Sequence, residues 1–355
     1  MLTLIIIKLI TCIAVFAISL GVAAYATLWE RKFSALLQDR VGPDRAGPKG
    51  LLQPLADGGK MFFKEEIIPN VSNKFLFILG PSLFMLTALM TGSVIPWGKD
   101  FTTAGGSIIS FQITDINIGV LYLLGVVSIG VYGIMIGGWA SNNKYALLGA
   151  IRSSSQMISY EIAMGISVIA LVITAGGTLS LREIVGQQDA GYANIVYQPL
   201  GFLIFFVCAL AETNRAPFDL PECEAELVGG YHTEYSSMKL GLFLFAEYIN
   251  MFISSAVMSA FYFGGYNFPF AQELYNAIGL QEGSIWISLI GFGAFFTKII
   301  IFICVFMWIR WTLPRFRYDQ LMHIGWKRLI PVALINLLIT GVVIAYTSGW
   351  FSETS

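Results

Sequence analysis

The feature that most constrains this chain is a recurring run of mostly apolar residues about 20 long. That is the length a helix needs to cross a hydrocarbon core roughly 30 Å thick. Eight segments read this way: 3–28, 75–95, 117–140, 158–177, 198–212, 239–263, 286–310 and 328–348. The fifth is short and ends on Glu212. Composition agrees, with 56% hydrophobic residues and 12% charged, about half the charge fraction of a soluble domain. The first run is not expected to be a cleaved leader. It is too long, and Trp29-Glu30-Arg31-Lys32 follows it with no small-residue cleavage site. The expected fold class is an all-α polytopic membrane protein, one transmembrane domain over residues 1–355 with about eight crossings and no separate soluble domain.

Eight crossings put both termini on one side. Of the 21 Lys and Arg residues, 17 fall in the segments after crossings 1, 3, 5 and 7. The opposite face has only Lys8, Lys99 and Arg182, and Lys298 lies inside the seventh crossing. By the positive-inside rule the basic loops face the cytoplasm and both termini face out. The four cysteines form no C-x-x-C pair, and no dinucleotide or Walker loop is present. No redox centre or nucleotide site is therefore expected in this chain.

The first basic loop, 29–74, contains an amphipathic segment at about 51–66. Leu52, Leu55, Ala56, Gly59, Phe62 and Phe63 recur at helical spacing, with Asp57, Lys60 and Lys64 on the other face. It is too short and too charged to span, so it is expected to lie in the membrane interface. Short loop helices are expected on the same face, one of them opening at Asp219.

Carboxylates gather in the third basic loop. FDLPECEAELVGGYHTEY, residues 218–235, holds Asp219, Glu222, Glu224, Glu226 and Glu234. Five acids in a loop are ordinarily a solvated face. Here Glu161, Glu212 and Glu247 continue the acids into the crossings, where an ionised group costs about 2.5–3.5 kcal/mol even on the lenient scale. Only Arg215 and His232 offer local counter-charge within the loop. Such a row suits a proton relay, because acids that share few partners hold coupled protons. Lys298 sits 12 residues from Arg310, about 18 Å of helix. An ion pair with an acid of another crossing and a functional role fit it equally. Arginines at both ends, an interfacial helix and aromatic residues suit a ligand with a polar head and a lipid tail. Topology, or docking to partner subunits, explains the same arginines as well.

Two long stretches carry a resemblance: ERKFSALLQDRVGPDRAGPKGLLQPLADGGKMFFKE and AETNRAPFDLPECEAELVGGYHTEYSSMKLGLFLFAEY. SNNKYALLGAIRSSSQMISYE and PRFRYDQLMHIGWK accompany them in order. Through these the chain closely resembles the membrane H-subunit family of proton-pumping NADH:quinone oxidoreductase, respiratory complex I. The resemblance implies quinone-site positions at Glu30, Arg31, Arg40, Asp57, Lys60, Lys64, Arg215, Phe218, Arg315 and Arg317. It implies an acidic funnel through Glu161, Glu212, Asp219, Glu222, Glu224, Glu226, Glu234 and Glu247, while Asp319 belongs with Arg315 and Arg317 to the last basic loop beside the quinone cavity. Quinone would be a substrate, with FMN and iron–sulfur clusters held by partner subunits. Those partners would be peripheral iron–sulfur and quinone-site subunits, antiporter-like and small membrane subunits, and the lipid bilayer, with no nucleic acid. A bacterial inner membrane is favoured over a mitochondrial one. Two rival readings are an ion-translocating component of a quinone-free, hydrogenase-type complex and a stand-alone transporter.

Overall fold

Small residues decide the tightest helix contact. Helix α3 (Lys74–Thr91) packs on α4 (Gly119–Ala140) with Gly80 facing Gly133 and Gly137. A Cβ on Gly80 would lie 2.7 Å from the Gly137 Cα, and one on Gly133 would lie 2.8 Å from the Phe84 amide nitrogen. Close backbone approach of this kind is the usual glue between membrane helices, where apolar side chains gain little by leaving lipid. The structure is a computed structural model that describes residues 2–102, 108–190, 192–219, 227–269, 271–279 and 283–347.

Among the described residues, seven helical stretches are long and apolar enough to cross a membrane, and strand is confined to Phe101–Thr102 paired with Ile108–Ile109. The chain is thus an all-α polytopic membrane protein. The long helices are α1 (Leu2–Leu37), α3, α4, α5 (Lys144–Thr174), α9 (Ser237–Tyr262), α11 (Ile285–Thr312) and α13 (Ile330–Thr347). The last is continuous, through a π turn at Gly325–Leu329, with α12 (Tyr318–Ile324). Shorter pieces are α2 (Gln53–Phe63), α6 (Leu181–Ala190), α7 (Asn194–Tyr197), α8 (Pro199–Glu212) and α10 (Ala271–Ile278). Helix α8, where the fifth crossing is expected, has 14 residues, about 21 Å, less than the bilayer core. It survives because protein covers it: α5, α7, α9 and α13 pack against it. Gln198 at its start is buried and bonds Thr174, Thr340 and Asn336.

Two helices outrun their apolar runs. Helix α1 continues nine residues past 28 and carries Glu30, Arg31 and Lys32 on its last turns. Helix α5 begins at Lys144, well before the apolar residues near 158. Its first half is a polar-and-small stretch, and Asn143 caps it by accepting from the Tyr145 amide. Helix α9 is the hub. It packs on α1, α2, α3, α8 and α11, and Tyr235 just before it donates to the carbonyls of Phe77 and Gly137.

Candidate functional site

The loop that carries the site begins where α8 stops. Asn214 takes a left-handed conformation, φ 48°, and turns the chain back after the last helical carbonyls. Gln156 of α5 then fixes the turn. Its buried amide donates to the carbonyls of Ala211 (2.8 Å) and Phe218 (2.9 Å). Phe218 is buried edge-on against Tyr160 and packs on Phe316.

This turn drives Arg215 into the protein, where it is 4% exposed. Its Nη1 donates to Oε2 of Glu30 at 2.5 Å, and its guanidinium sits 4.2 Å from the centre of the Tyr248 ring. The Tyr248 hydroxyl donates to the same Glu30 oxygen at 3.0 Å. Arg310 of α11 donates to the other oxygen. One carboxylate of α1 thus gathers an arginine from the loop, an arginine from α11 and a tyrosine from α9. Burial is the largest single influence and disfavours the Arg215 cation, but the charge and hydrogen bond of Glu30 together with Tyr248 and Glu247 outweigh it, and the group is raised above its ordinary pKa. Arg215 therefore stays charged.

The same tyrosine lines a crevice. A cavity of about 160 Å³ lies between α1, α2 and α9, bordered by Thr27, Arg31, Asp57, Gly58, Met61 and Tyr248 among others. Arg31 bridges its mouth to Asp57 at 2.7 Å, with Gln53 donating to Asp57 as well. Helix α2 buries Pro54 and leaves Leu55, Phe62 and Phe63 exposed, Phe63 at 94%. Its far end is clipped to α9: Ser237 donates to the carbonyls of Met61 and Lys64, and Lys239 pairs with Glu66 at 2.6 Å.

The expected acids separate. Glu247 is buried and accepts from the Tyr231 hydroxyl at 2.7 Å. Asp219 is buried and pairs with Arg315 at 2.9 Å. Glu234 accepts from Asn143 at 2.6 Å. Glu161 accepts from Ser128 and couples electrostatically to Glu212 on the facing helix α8. Glu222, Glu224 and Glu226, with Cys223, lie outside the described residues. Of the other candidates, Lys60, Lys64, Arg40 and Arg317 are exposed and do not line the crevice. Arg40 donates instead to Gln38. A roomier cavity of about 420 Å³, lined by Gln188, Asp189 and Glu273 among others, holds none of the candidate residues.

Two expectations are corrected. Among the described residues, Asp219 of the acidic loop draws counter-charge from outside it, from Arg315, while Arg215 serves Glu30. Residues distant in sequence can supply charge that no loop-by-loop reading finds. Lys298 pairs with no acid among the described residues; it donates to the backbone carbonyls of Phe263, Gly265 and Asn267. The sequence reading also missed Tyr248, Gln156 and Tyr231, and had Arg310 only as one of the arginines bordering a pocket. A tyrosine beside an intramembrane Glu and an arginine ending a crossing were the available signals.

Comparisons with known proteins agree on one family. The sequence pattern described as NADH dehydrogenase matches residues 9–341. An NADH-quinone oxidoreductase H subunit of Cytophaga hutchinsonii is 68% identical, covering 95% of this chain and 96% of that protein. The H subunit of Flavobacterium psychrophilum is 59% identical over 94% of this chain and 96% of its own. NADH-quinone oxidoreductase subunit 8 of Rhodothermus marinus is 46% identical over 90% and 92%. These relatives do not favour a quinone-free complex. With the match running over nearly its whole length, the chain belongs to the NADH dehydrogenase family.

Proposed function

We propose that this chain is the membrane subunit of a bacterial NADH:quinone oxidoreductase, forming one wall of the quinone cavity and coupling quinone reduction to proton translocation. The observation that carries the reading is Tyr248. Its ring borders the α1–α2–α9 crevice, and its hydroxyl reaches the buried Glu30–Arg215–Arg310 set. At about 160 Å³ the crevice is smaller than the roughly 300–1,000 Å³ of complete ligand pockets. That suits an entrance completed by a neighbouring chain of the complex. Quinone enters from the bilayer past α1 and the amphipathic α2. Electrons arrive from FMN and iron–sulfur clusters of peripheral partners, and two electrons with two protons convert quinone to quinol. The charge change biases Glu30, Glu247 and Asp219, and through Glu222, Glu224, Glu226, Glu234, Glu212 and Glu161 reaches antiporter-like partners. Arg31 and Asp57 guard the mouth, while Arg40, Lys60, Lys64 and Arg317 face the membrane surface or a partner. The chain folds as one transmembrane domain with both termini outside.

Gly58 lines the crevice, and a Cβ there meets nothing within 4 Å. Gly58→Leu should therefore fill the crevice while favouring the helix. The expected result is slower NADH:quinone reduction relative to NADH oxidation by a water-soluble artificial acceptor. Quinone kinetics unchanged by the filled crevice would refute the entrance.

A further inference from the structure

Lys298 lies mid-way along α11, half-buried at bilayer depth. Its ammonium donates to the carbonyls of Phe263 (2.6 Å), Gly265 (2.8 Å) and Asn267. An ammonium has three hydrogens to give, so all are used. The acceptors belong to the turn that ends α9. Gly264 and Gly265 take left-handed φ values of 73° and 54°, and the Gly265 amide bonds back to Ser259. Carbonyls at a helix end lack partners within the helix. Lys298 answers that need from a different helix, and so ties α11 to the end of α9.

The same two helices meet again at Glu30, through Tyr248 of α9 and Arg310 of α11. From Lys298 to Arg310 is 12 residues, about 18 Å, and from Tyr248 to Phe263 is 15, about 22 Å. Two antiparallel helices are thus pinned at two places about 20 Å apart. Between the pins the buried side chains are largely apolar, Phe252, Ile253 and Ala256 on α9 and Phe302, Ile303 and Phe306 on α11. Apolar contact is non-directional and tolerates an axial slip, whereas three hydrogen bonds to a fixed turn do not. A slip of one residue along α11, about 1.5 Å, would take Arg310 off Glu30.

We propose that Lys298 is a positioning residue: by tying α11 to the turn after α9 it sets the register in which Arg310 and Tyr248 reach Glu30 together. The proposal rests on reading the Glu30 set as part of the quinone site. Displacing a positioned group by about 1 Å can cost about a hundredfold in rate, so the effect is measurable from a distance.

The test uses membranes carrying the whole complex, with Lys298→Met, Lys298→Gln, Lys298→Arg, Arg310→Met and the double Lys298→Met/Arg310→Met. NADH oxidation by a water-soluble artificial acceptor counts assembled complex, and kcat and KM are measured for a short-tailed quinone. Lys298→Met should lower kcat/KM for quinone about tenfold per assembled complex. Lys298→Arg, which keeps the donors, should recover most of it. The double variant should be no worse than Arg310→Met, because one loss acts through the other. Wild-type quinone kinetics in Lys298→Met, or losses that multiply in the double, would overturn the proposal. So would failure of both Lys298→Met and Lys298→Gln to assemble while Arg310→Met assembles, since that marks a folding residue. Impaired Arg310→Met beside a silent Lys298→Met sinks the Lys298 inference alone. A silent Arg310→Met sinks the reading of the quinone site, and this proposal with it.

Discussion

The Arg215 guanidinium lies 4.2 Å from the centre of the Tyr248 ring while its Nη1 donates to Glu30 at 2.5 Å. One cation thus satisfies a buried carboxylate and an aromatic face at once. Removing one partner of a buried pair leaves the other charge stranded and costs about 3–5 kcal/mol. Arg310 still serves Glu30, so Arg215→Met should fall near the low end of that range. Less assembled complex and lower heat tolerance are expected. Arg215→Lys should recover only part, because a point charge replaces a planar group that stacks and forks. Blue-native gels and thermal inactivation of the solubilised complex measure both. Arg215→Met that assembles and withstands heat like the wild type would contradict the pairing.

Tyr248→Phe separates two duties. The ring stays beneath Arg215 and in the crevice wall, but the 3.0 Å bond to Glu30 goes. A hydrogen bond to a charged group contributes about 1.5–3 kcal/mol, and about 1.4 kcal/mol is tenfold. Quinone reduction should drop roughly tenfold by this bookkeeping. Tyr248→Leu, which also loses the aromatic face, should fall further. Equal activity in wild type, Tyr248→Phe and Tyr248→Leu would remove Tyr248 from the site.

Gln156 is a positioning device for the loop rather than for quinone. Replacing it with Leu keeps much of the volume but strips the Phe218 carbonyl of its donor and leaves the Ala211 carbonyl only its local backbone bonds. An unsatisfied buried group costs about 1–3 kcal/mol, so Gln156→Leu should lower both heat tolerance and quinone reduction. The neighbouring Ser155→Ala loses only a bond to its own helix at Ile151 and should stay within about 0.5 kcal/mol of wild type. If Gln156→Leu matched Ser155→Ala in thermal inactivation and turnover, the clamp would carry no weight.

How much of this could be read beforehand depends on what carries each contact. Apolar length predicts the crossings, because a bilayer rewards nothing else over 20 residues. It misplaces the start of α5, where Ser, Gln and Gly face protein rather than lipid and still sit in helix. Charge in the crossings points to Glu30, Glu247 and Lys298, but not to their partners. Arg215 and Glu30 are 185 residues apart, a pairing that arises only when the turn after α8 folds against α1. Lys298 is harder still, since its acceptors are backbone carbonyls and any sequence has those. The crevice was visible as a kind of place, an arginine beside an amphipathic helix. Its wall at Tyr248 was not, because a tyrosine in an apolar run looks like core.

The Arg31–Asp57 bridge makes the opposite prediction to the buried set. Its side chains are 50% and 32% exposed, and exposed pairs contribute about 0–1 kcal/mol. Asp57→Asn should leave assembly and heat tolerance unchanged within error. It should still raise the quinone KM a few-fold, because Asp57 borders the mouth of the crevice. Collapse of the complex in Asp57→Asn would show that the bridge holds α2 in place. An unaltered KM would show that it does not face quinone.

The relay makes the most exacting claim, because its central members, Glu222, Glu224 and Glu226, are judged by sequence position alone. Gln keeps the size and hydrogen-bonding reach of Glu but cannot take up or release a proton at neutral pH. Glu→Gln at each position should therefore spare assembly. NADH-driven acidification of inverted vesicles, or quinone turnover, should fall beside an intact artificial-acceptor rate. Glu161→Gln offers an internal comparison, because that carboxylate sits on α5 with Ser128 as its donor and Glu212 as its neighbour. If charge passes along the row, Glu161→Gln should reduce pumping in the same direction. Normal turnover and pumping in all three loop variants would show that the acids are a solvated surface, and the route from quinone to proton would have to be sought in other chains.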